Sequence, residues 1–451
     1  MGQGRETGVK AKLTTFDTTM LVVSLVIGIG IFRTPAMVAS ETKTPLLFFA
    51  AWIIGGFVTL CGALTFAEIG ARFNRPGAFY KVVAESYNSL LAFLLNWTAI
   101  LIVNGAGCAA VALIAAEYLN LIILPPHLQS PETASLTACV IIIFLLAINY
   151  IGIKTGAWTQ NILTVIKIAM IVVLSAVAFF YVGGGGVVPR AEPLEGTSPF
   201  LIALGLGLIS VFYTLGGYQL TINLGADLKN ARRNMPRAIA IGIAIIIALY
   251  LVVNLAYFLV LGVPGIARAK LVAAEVAMIC FGPIGQLIIS ISIVISVLAF
   301  LVATYMQLPR SYYAMAEDGV LPKIFKRVNP KTQVQEFALL FLGLVAFTSI
   351  LLMGTFENLL KYVMLFDSFT LATVASTVFI LRRKNVPQKD YDGYKVPLYP
   401  WVPAIFVFFL LCITVSVILD NPASALIGAG IVIIGLPIFF IMRKVTAAGR
   451  F

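Results

Sequence analysis

At 451 residues, with 60% of them apolar, 11% charged and a mean hydropathy of +1.01, the chain has too little charge to cover a soluble globule of its size. Its net charge of +12 does not point to nucleic acid, because the basic residues are spread through short segments between apolar runs and form no single patch. The five cysteines (Cys61, Cys108, Cys139, Cys280, Cys412) lie in or beside those runs and form no CxxC pair, so they read as packing thiols, with neither a disulfide framework nor a zinc site implied.

The pattern predicts an all-α membrane protein with twelve spans, since roughly 20 apolar residues cross the hydrocarbon core. In chain order they fall near 14–39, 45–71, 88–120, 134–153, 156–184, 199–226, 238–262, 280–309, 337–354, 359–381, 396–419 and 423–442. The first segment shows no small-residue cleavage site and continues as a full span, so no cleavable signal is expected. With the N-terminus inside, the outer side holds only Lys43, Arg190, Arg268, Lys270 and, at the outer edge of span ten, Lys361, and the interiors of the spans hold only Arg33 and Lys167, of 31 lysines and arginines. That bias predicts both termini in the cytoplasm. Between spans two and three, "RFNRPGAFYKVVAESYN" alternates basic and apolar residues and is expected to lie along the inner membrane surface.

Two spans are interrupted by glycine. In span one, "SLVIGIGIFRTP" (24–35) places Gly28 and Gly30 where a helix should be strongest. In span six, "SVFYTLGGYQLTINLG" (210–225) places Gly216 and Gly217 in mid-membrane. The breaks are five spans apart, which points to inverted repeats at 14–184 and 199–381, with 396–442 adding two helices to a single 1–451 domain. An unbroken membrane helix satisfies its own backbone. A broken one offers N–H groups to an anion and carbonyls to a cation. The amides around Ile29, Gly30 and Ile31 are therefore expected to meet a carboxylate. The carbonyls near Ile27, Tyr213, Thr214 and Gly216 are expected to meet an ammonium group, with Gly28, Leu215 and Gly217 completing the site. The bland alternative is that these glycines only let helices pack closely.

Several stretches then resemble the amino acid–polyamine–organocation permeases: "GIGIF", "LCGALTFAEIGARFNRPGAFY", "LGADLKNARRNMPRAI", "YAMAEDGVLPKIF" and "YKVPLYPWVPAIF". The similarity covers nearly the whole chain and is nearest to the bacterial L-amino-acid transporter branch. It implies a LeuT-type fold with 5+5 inverted repeats, and amino acid transport by alternating access. Ile29 stands where the family usually has serine, and Tyr213 falls at its aromatic gate. Relatives joined to a heavy chain carry a cysteine in the loop after span three. Here that loop, "LPPHLQSPET", has none, so no disulfide-linked heavy chain is expected.

Lys167 lies in the middle of span five, where a charge needs a partner or must lose its proton. The resemblance gives it the place of the second sodium ion of sodium-coupled relatives, in contact with the first break and with a span-eight hydroxyl, Ser296. The alternative is a lysine snorkelling to an interface. Glu68 either pairs with cytoplasmic arginines or gates. Asn104, beside Gly105 and Gly107, either lines the pocket or makes a helix–helix hydrogen bond. Arg33 on span one and Asp367 on span ten are expected to meet as an outer gate, the alternative being an Arg33 that only snorkels.

The function these features imply is a secondary transporter of neutral L-amino acids in the plasma (inner) membrane, sodium-independent, by exchange or uniport. Proton-coupled symport, or carriage of cationic amino acids or polyamines, is the alternative. A membrane enzyme is disfavoured: there is no HExxH, GxSxG or Walker A sequence, and the single histidine, His127, sits in a loop. A channel would show no saturation. No cofactor or metal is expected, and the partners are the amino acid and the bilayer.

Overall fold

The computed structural model describes residues 11–28, 30–186, 199–269, 271–282, 284–353, 356–384, 391–420 and 422–447. Arg190 and Lys270, counted above among outer-loop charges, lie outside the described residues. The described chain is helical, with two isolated β-bridges, Leu13 with Leu228 and Pro76 with Leu224.

Helix α1 (Thr15–Val26) starts on a capping box in which Thr14 and Asp17 satisfy each other's end groups. After the break, α2 (Gly30–Thr42) continues at a bend of 44°. Thr44 caps α3 (Pro45–Arg72), with Pro45 at its first position. A left-handed Gly77 then turns the chain into α4 (Ala78–Ser86). Span three is not one regular helix: α5 (Ser89–Thr98) passes through a π turn, Ala99–Asn104, into α6 (Gly105–Ile123). Then come α7 (Pro131–Ile151), α8 (Ile153–Gly183) and α9 (Phe200–Thr214). A 3₁₀ turn, Tyr218–Asn223, leads to α10 (Ala231–Arg268), which is kinked at Gly262. The rest are α11 (Val272–Phe281), α12 (Ile284–Glu317), α13 (Glu336–Met353), α14 (Phe356–Lys384), α15 (Trp401–Asp420) and α16 (Pro422–Ala447).

Among the described residues, α3, α7, α8, α10 and the Leu287–Glu317 part of α12 are each long and apolar enough to cross a membrane, and α1 with α2 makes a sixth as a bent pair. Shorter apolar helices occupy most of the other segments expected to span, so the length test falls short of twelve. The α-helix of span six stops at Thr214, at the glycine interruption, and the stretch up to 226 continues through the 3₁₀ turn Tyr218–Asn223. In the segment after span two, α4 buries Phe79, Tyr80, Lys81, Val82 and Val83 against α5, α12 and α14. Its apolar residues serve the core and its lysine finds an internal partner.

The helix pairings place the two breaks centrally. Helix α1 packs on α10, α8 and α12, and α2 packs on α9 and α10. On the outward faces the residues are apolar and exposed, for example Ile143, Phe144, Val173 and Leu344, as expected where hydrocarbon is the solvent.

Candidate functional site

The end of α1 is held from three sides. Ile27 leaves helical torsions (φ −75°, ψ 82°), freeing the last carbonyls of the helix. Lys167 of α8, 1% exposed, donates from Nζ to the Ile27 carbonyl and, at 3.4 Å, to that of Ser24. The Tyr250 hydroxyl donates to the Val26 carbonyl at 3.3 Å. The Leu25 carbonyl faces Gly217, where a Cβ would lie only 2.2 Å from it. Gly217 has φ +113°, so both its torsion and its close approach require glycine. The second break is thus pressed against the end of the first.

On the other side of the break, α2 begins at Gly30, and its first amides have no acceptor within the helix. Ile29 lies outside the described residues. Gly30 meets Thr214, the last residue of α9. The Thr214 and Thr34 hydroxyl oxygens are 2.6 Å apart and buried. Past Thr214, Leu215 is 1% exposed and packs in the core, so it offers no side chain to a ligand. Gly216 and Gly217 are half-buried, and the Gly217 amide donates to Gln219 Oε1. Tyr213 lies in the last turn of α9, and its side chain lies outside the described residues.

The remaining expected site residues divide. Lys167 meets the first break, and it is too deeply buried to snorkel. It takes the Ile27 carbonyl that the substrate ammonium was expected to meet. Ser296 is fully buried on α12, but its Oγ makes no hydrogen bond among the described residues, so the expected Lys167–Ser296 contact is not made. Asn104 ends the π turn, and its side chain lies near the Tyr312 hydroxyl of α12. Arg33 and Asp367 do not pair. Arg33 is exposed on α2 and acts electrostatically on Glu117 and Tyr118 of α6, while Asp367 is half-buried on α14 with no ion pair among the described residues.

At the end of the molecule that carries Leu13, Glu68 follows one of its two expected readings, pairing with arginines, and its neighbours have roles the sequence did not reveal. Glu68, fully buried at the end of α3, accepts from Arg72, from Arg382 of α14 (Nε 3.0 Å, Nη2 2.7 Å) and from the Val396 amide (2.7 Å). Arg72 lies over the Tyr391 ring and Arg382 over the Tyr399 ring, at 4.1 and 3.9 Å from their centroids. Burial pushes the Tyr391 hydroxyl up to about 12, so it stays neutral beside Glu68. Asp227, fully buried after the second break, forms a forked pair with Arg310 of α12, at 3.0 and 2.8 Å. Arg310 also donates to Gln335 Oε1 and the Gln333 carbonyl. Lys81 bonds Glu317 and Asp318. Asn223 accepts the amides of Gly77 and Phe79 on its carbonyl and Oδ1, and donates to Gln307. These partners join four of the quoted motifs, which was the available signal.

The whole-chain comparisons agree with this geometry. The chain is 27% identical over 443 residues to the serine/threonine exchanger SteT of Bacillus subtilis, covering 97% of this chain and 98% of that protein. It is 25% identical over 437 residues to the human cystine/glutamate transporter (96% and 85% covered), and 23% identical over 420 residues to the mouse b(0,+)-type amino acid transporter 1 (93% and 85%). The profile described as amino acid permease matches residues 13–442. With its apolar helices and its two facing breaks, the chain belongs to the amino acid permease family and is a multi-pass membrane protein that transports amino acids.

Proposed function

We propose that the chain carries neutral L-amino acids across the plasma membrane by sodium-independent exchange or uniport, alternating access around the two breaks. The observation that carries this reading is the facing of the breaks, Gly217 on Leu25 and Gly30 on Thr214, beside the buried ammonium of Lys167. Amides at the start of α2 suit a carboxylate and carbonyls at the end of α9 suit an ammonium. Lys167 brings its amine as a donor to the end of α1, at the carbonyls where a sodium-coupled carrier would need a cation. No acidic residue lies in 24–35 or 210–225, which favours neutral over cationic substrates.

In this reading the chain has twelve spans. Helices α1 to α8 and α9 to α14 form inverted repeats, and α15 and α16 are additional. The exposed basic residues Lys154, Arg232, Arg233 and Arg327 support a cytoplasmic Leu13 end. The loop after α6 contains no cysteine, which supports a carrier working without a disulfide-linked heavy chain. Proton-coupled symport has one feature in its favour, the burial of the Lys167 amine. The test is uptake into proteoliposomes preloaded with single amino acids, with and without sodium and a pH gradient. Saturable uptake stimulated by internal neutral amino acid and indifferent to sodium is expected. Uptake that needs sodium would overturn the reading, and uptake that needs the pH gradient would establish symport.

A further inference from the structure

The two glycines of the first break do different work. A Cβ on Gly28 would meet nothing within 4 Å. A Cβ on Gly30 would lie 2.7 Å from Thr214 Cγ2, 3.1 Å from its Oγ1 and 3.2 Å from its Cβ. The space a side chain at 30 would need is therefore filled by Thr214. The hydroxyl branch of the same threonine lies 2.6 Å from Thr34 Oγ1. Gly30 and Thr34 are four residues apart on α2 and so share one face. Thr214 thus engages two successive turns of α2, its methyl in one and its hydroxyl on the other. At the far end of the same antiparallel pair the roles are reversed: a Cβ on Gly207 of α9 would lie 2.9 Å from Thr42 Cγ2 of α2.

We infer that Thr214 is a positioning residue for the substrate. It fixes the last turn of α9 against the first turn of α2, and so fixes the separation between the carbonyls that end one helix and the amides that begin the other. The inference rests on the reading that the breaks hold the two charged ends of an amino acid. Those ends lie a fixed distance apart, and displacement of a binding group by about 1 Å can cost about 100-fold. A sliding α2–α9 pair would bind poorly even with every backbone group present. Thr34 is the second half of the device, because its hydroxyl has Thr214 as its buried partner.

The test uses purified full-length protein in proteoliposomes, with L-serine and L-leucine as probes, and reads KM and maximal rate separately. Thr214→Val keeps the branched shape and removes the hydroxyl. It breaks the bond to Thr34 Oγ1 between the helices and the one to the Ser210 carbonyl within α9. KM should rise about five-fold, of the order of one neutral hydrogen bond, with the maximal rate nearly unchanged. Thr34→Val should do the same, and the double variant should be no worse than either single one. Thr214→Ser, which keeps the hydroxyl, should recover most of the affinity. Gly30→Ala should lose uptake, and adding Thr214→Ala should restore part of it, since the two nearest clashing atoms are gone. An unchanged KM in Thr214→Val, additive effects of the two valines, a lowered melting temperature with KM unchanged, or no rescue of Gly30→Ala would each overturn the inference while leaving amino acid transport intact. A wild-type protein that takes up none of the twenty amino acids would instead overturn the functional reading, and this inference with it.

Discussion

Replacing Arg310 with methionine tests how the segment after the second break is held. Asp227 is 0% exposed and Arg310 2%. The guanidinium makes a two-pronged bond to the carboxylate, with further bonds to Gln335 Oε1 and the Gln333 carbonyl. The Asp227 carbonyl accepts the amides of Lys12 and Leu13, both at 2.8 Å, so this aspartate also anchors the chain leading into α1. Arg310→Met leaves a buried carboxylate without a counter-charge, which costs about 3–5 kcal/mol. That is a large part of a net stability on the order of 5–15 kcal/mol. Size-exclusion profiles of detergent-solubilised protein after stepwise heating should show a clearly lower midpoint, and membrane yield should fall. Arg310→Lys, which keeps the charge without the fork, should fall in between. Asp227→Leu combined with Arg310→Met should regain much of the loss, because no unpaired charge remains. An Arg310→Met protein that melts with the wild type would refute the buried-pair account. So would a double variant worse than the single one.

Other substitutions separate binding from folding. Lys167→Met removes the donor to the Ser24 and Ile27 carbonyls, so proteoliposome uptake should fall at least ten-fold (about 1.4 kcal/mol or more) while the size-exclusion peak persists; normal uptake would show that α1 needs no cationic partner. Gly28→Ala meets no neighbour and should fold normally, yet weaken substrate binding measured by radioligand displacement, because the new methyl enters the open space at the break; unchanged affinity would place the substrate elsewhere. Glu68→Gln leaves Arg72 and Arg382 without their shared anion, so trypsin should cut after Arg382, Arg383 or Lys384 faster than in wild type; equal rates would show that Glu68 does not hold α14 to α3.

The breaks were legible because glycine pairs inside apolar runs have few explanations, and two of them at matching depth have fewer. How each helix continues past its break was not legible. The 3₁₀ turn at Tyr218–Asn223 takes its shape from tertiary partners: Asn223 accepts the Gly77 and Phe79 amides and donates to Gln307, 84 residues away. No local pattern records that. The partners of Glu68 show the same limit. Arg72 is four residues on and readable as a helix-face pair, but Arg382 is 314 residues away. The expected pairing of Arg33 with Asp367 came from counting depth along two helices. Depth sets height in the membrane and says nothing about direction around the axis, and the carboxylate on which Arg33 acts is Glu117 of α6.

Gly28 and Gly30 carry that limit to its finest scale. They are two residues apart, in the same apolar run, and the sequence gives the same two readings for both, ligand approach or close helix packing. The structure separates them. Gly30 has a threonine methyl where its side chain would be, and Gly28 has open space. What distinguishes them is the residue that arrives from α9, 184 positions downstream of Gly30, and its arrival depends on Gly217 letting the second break close on the Leu25 carbonyl. A glycine in a membrane helix states only that something must come close. Whether that is a ligand or a neighbouring helix is decided by the other break, so the two interruptions have to be read as a pair.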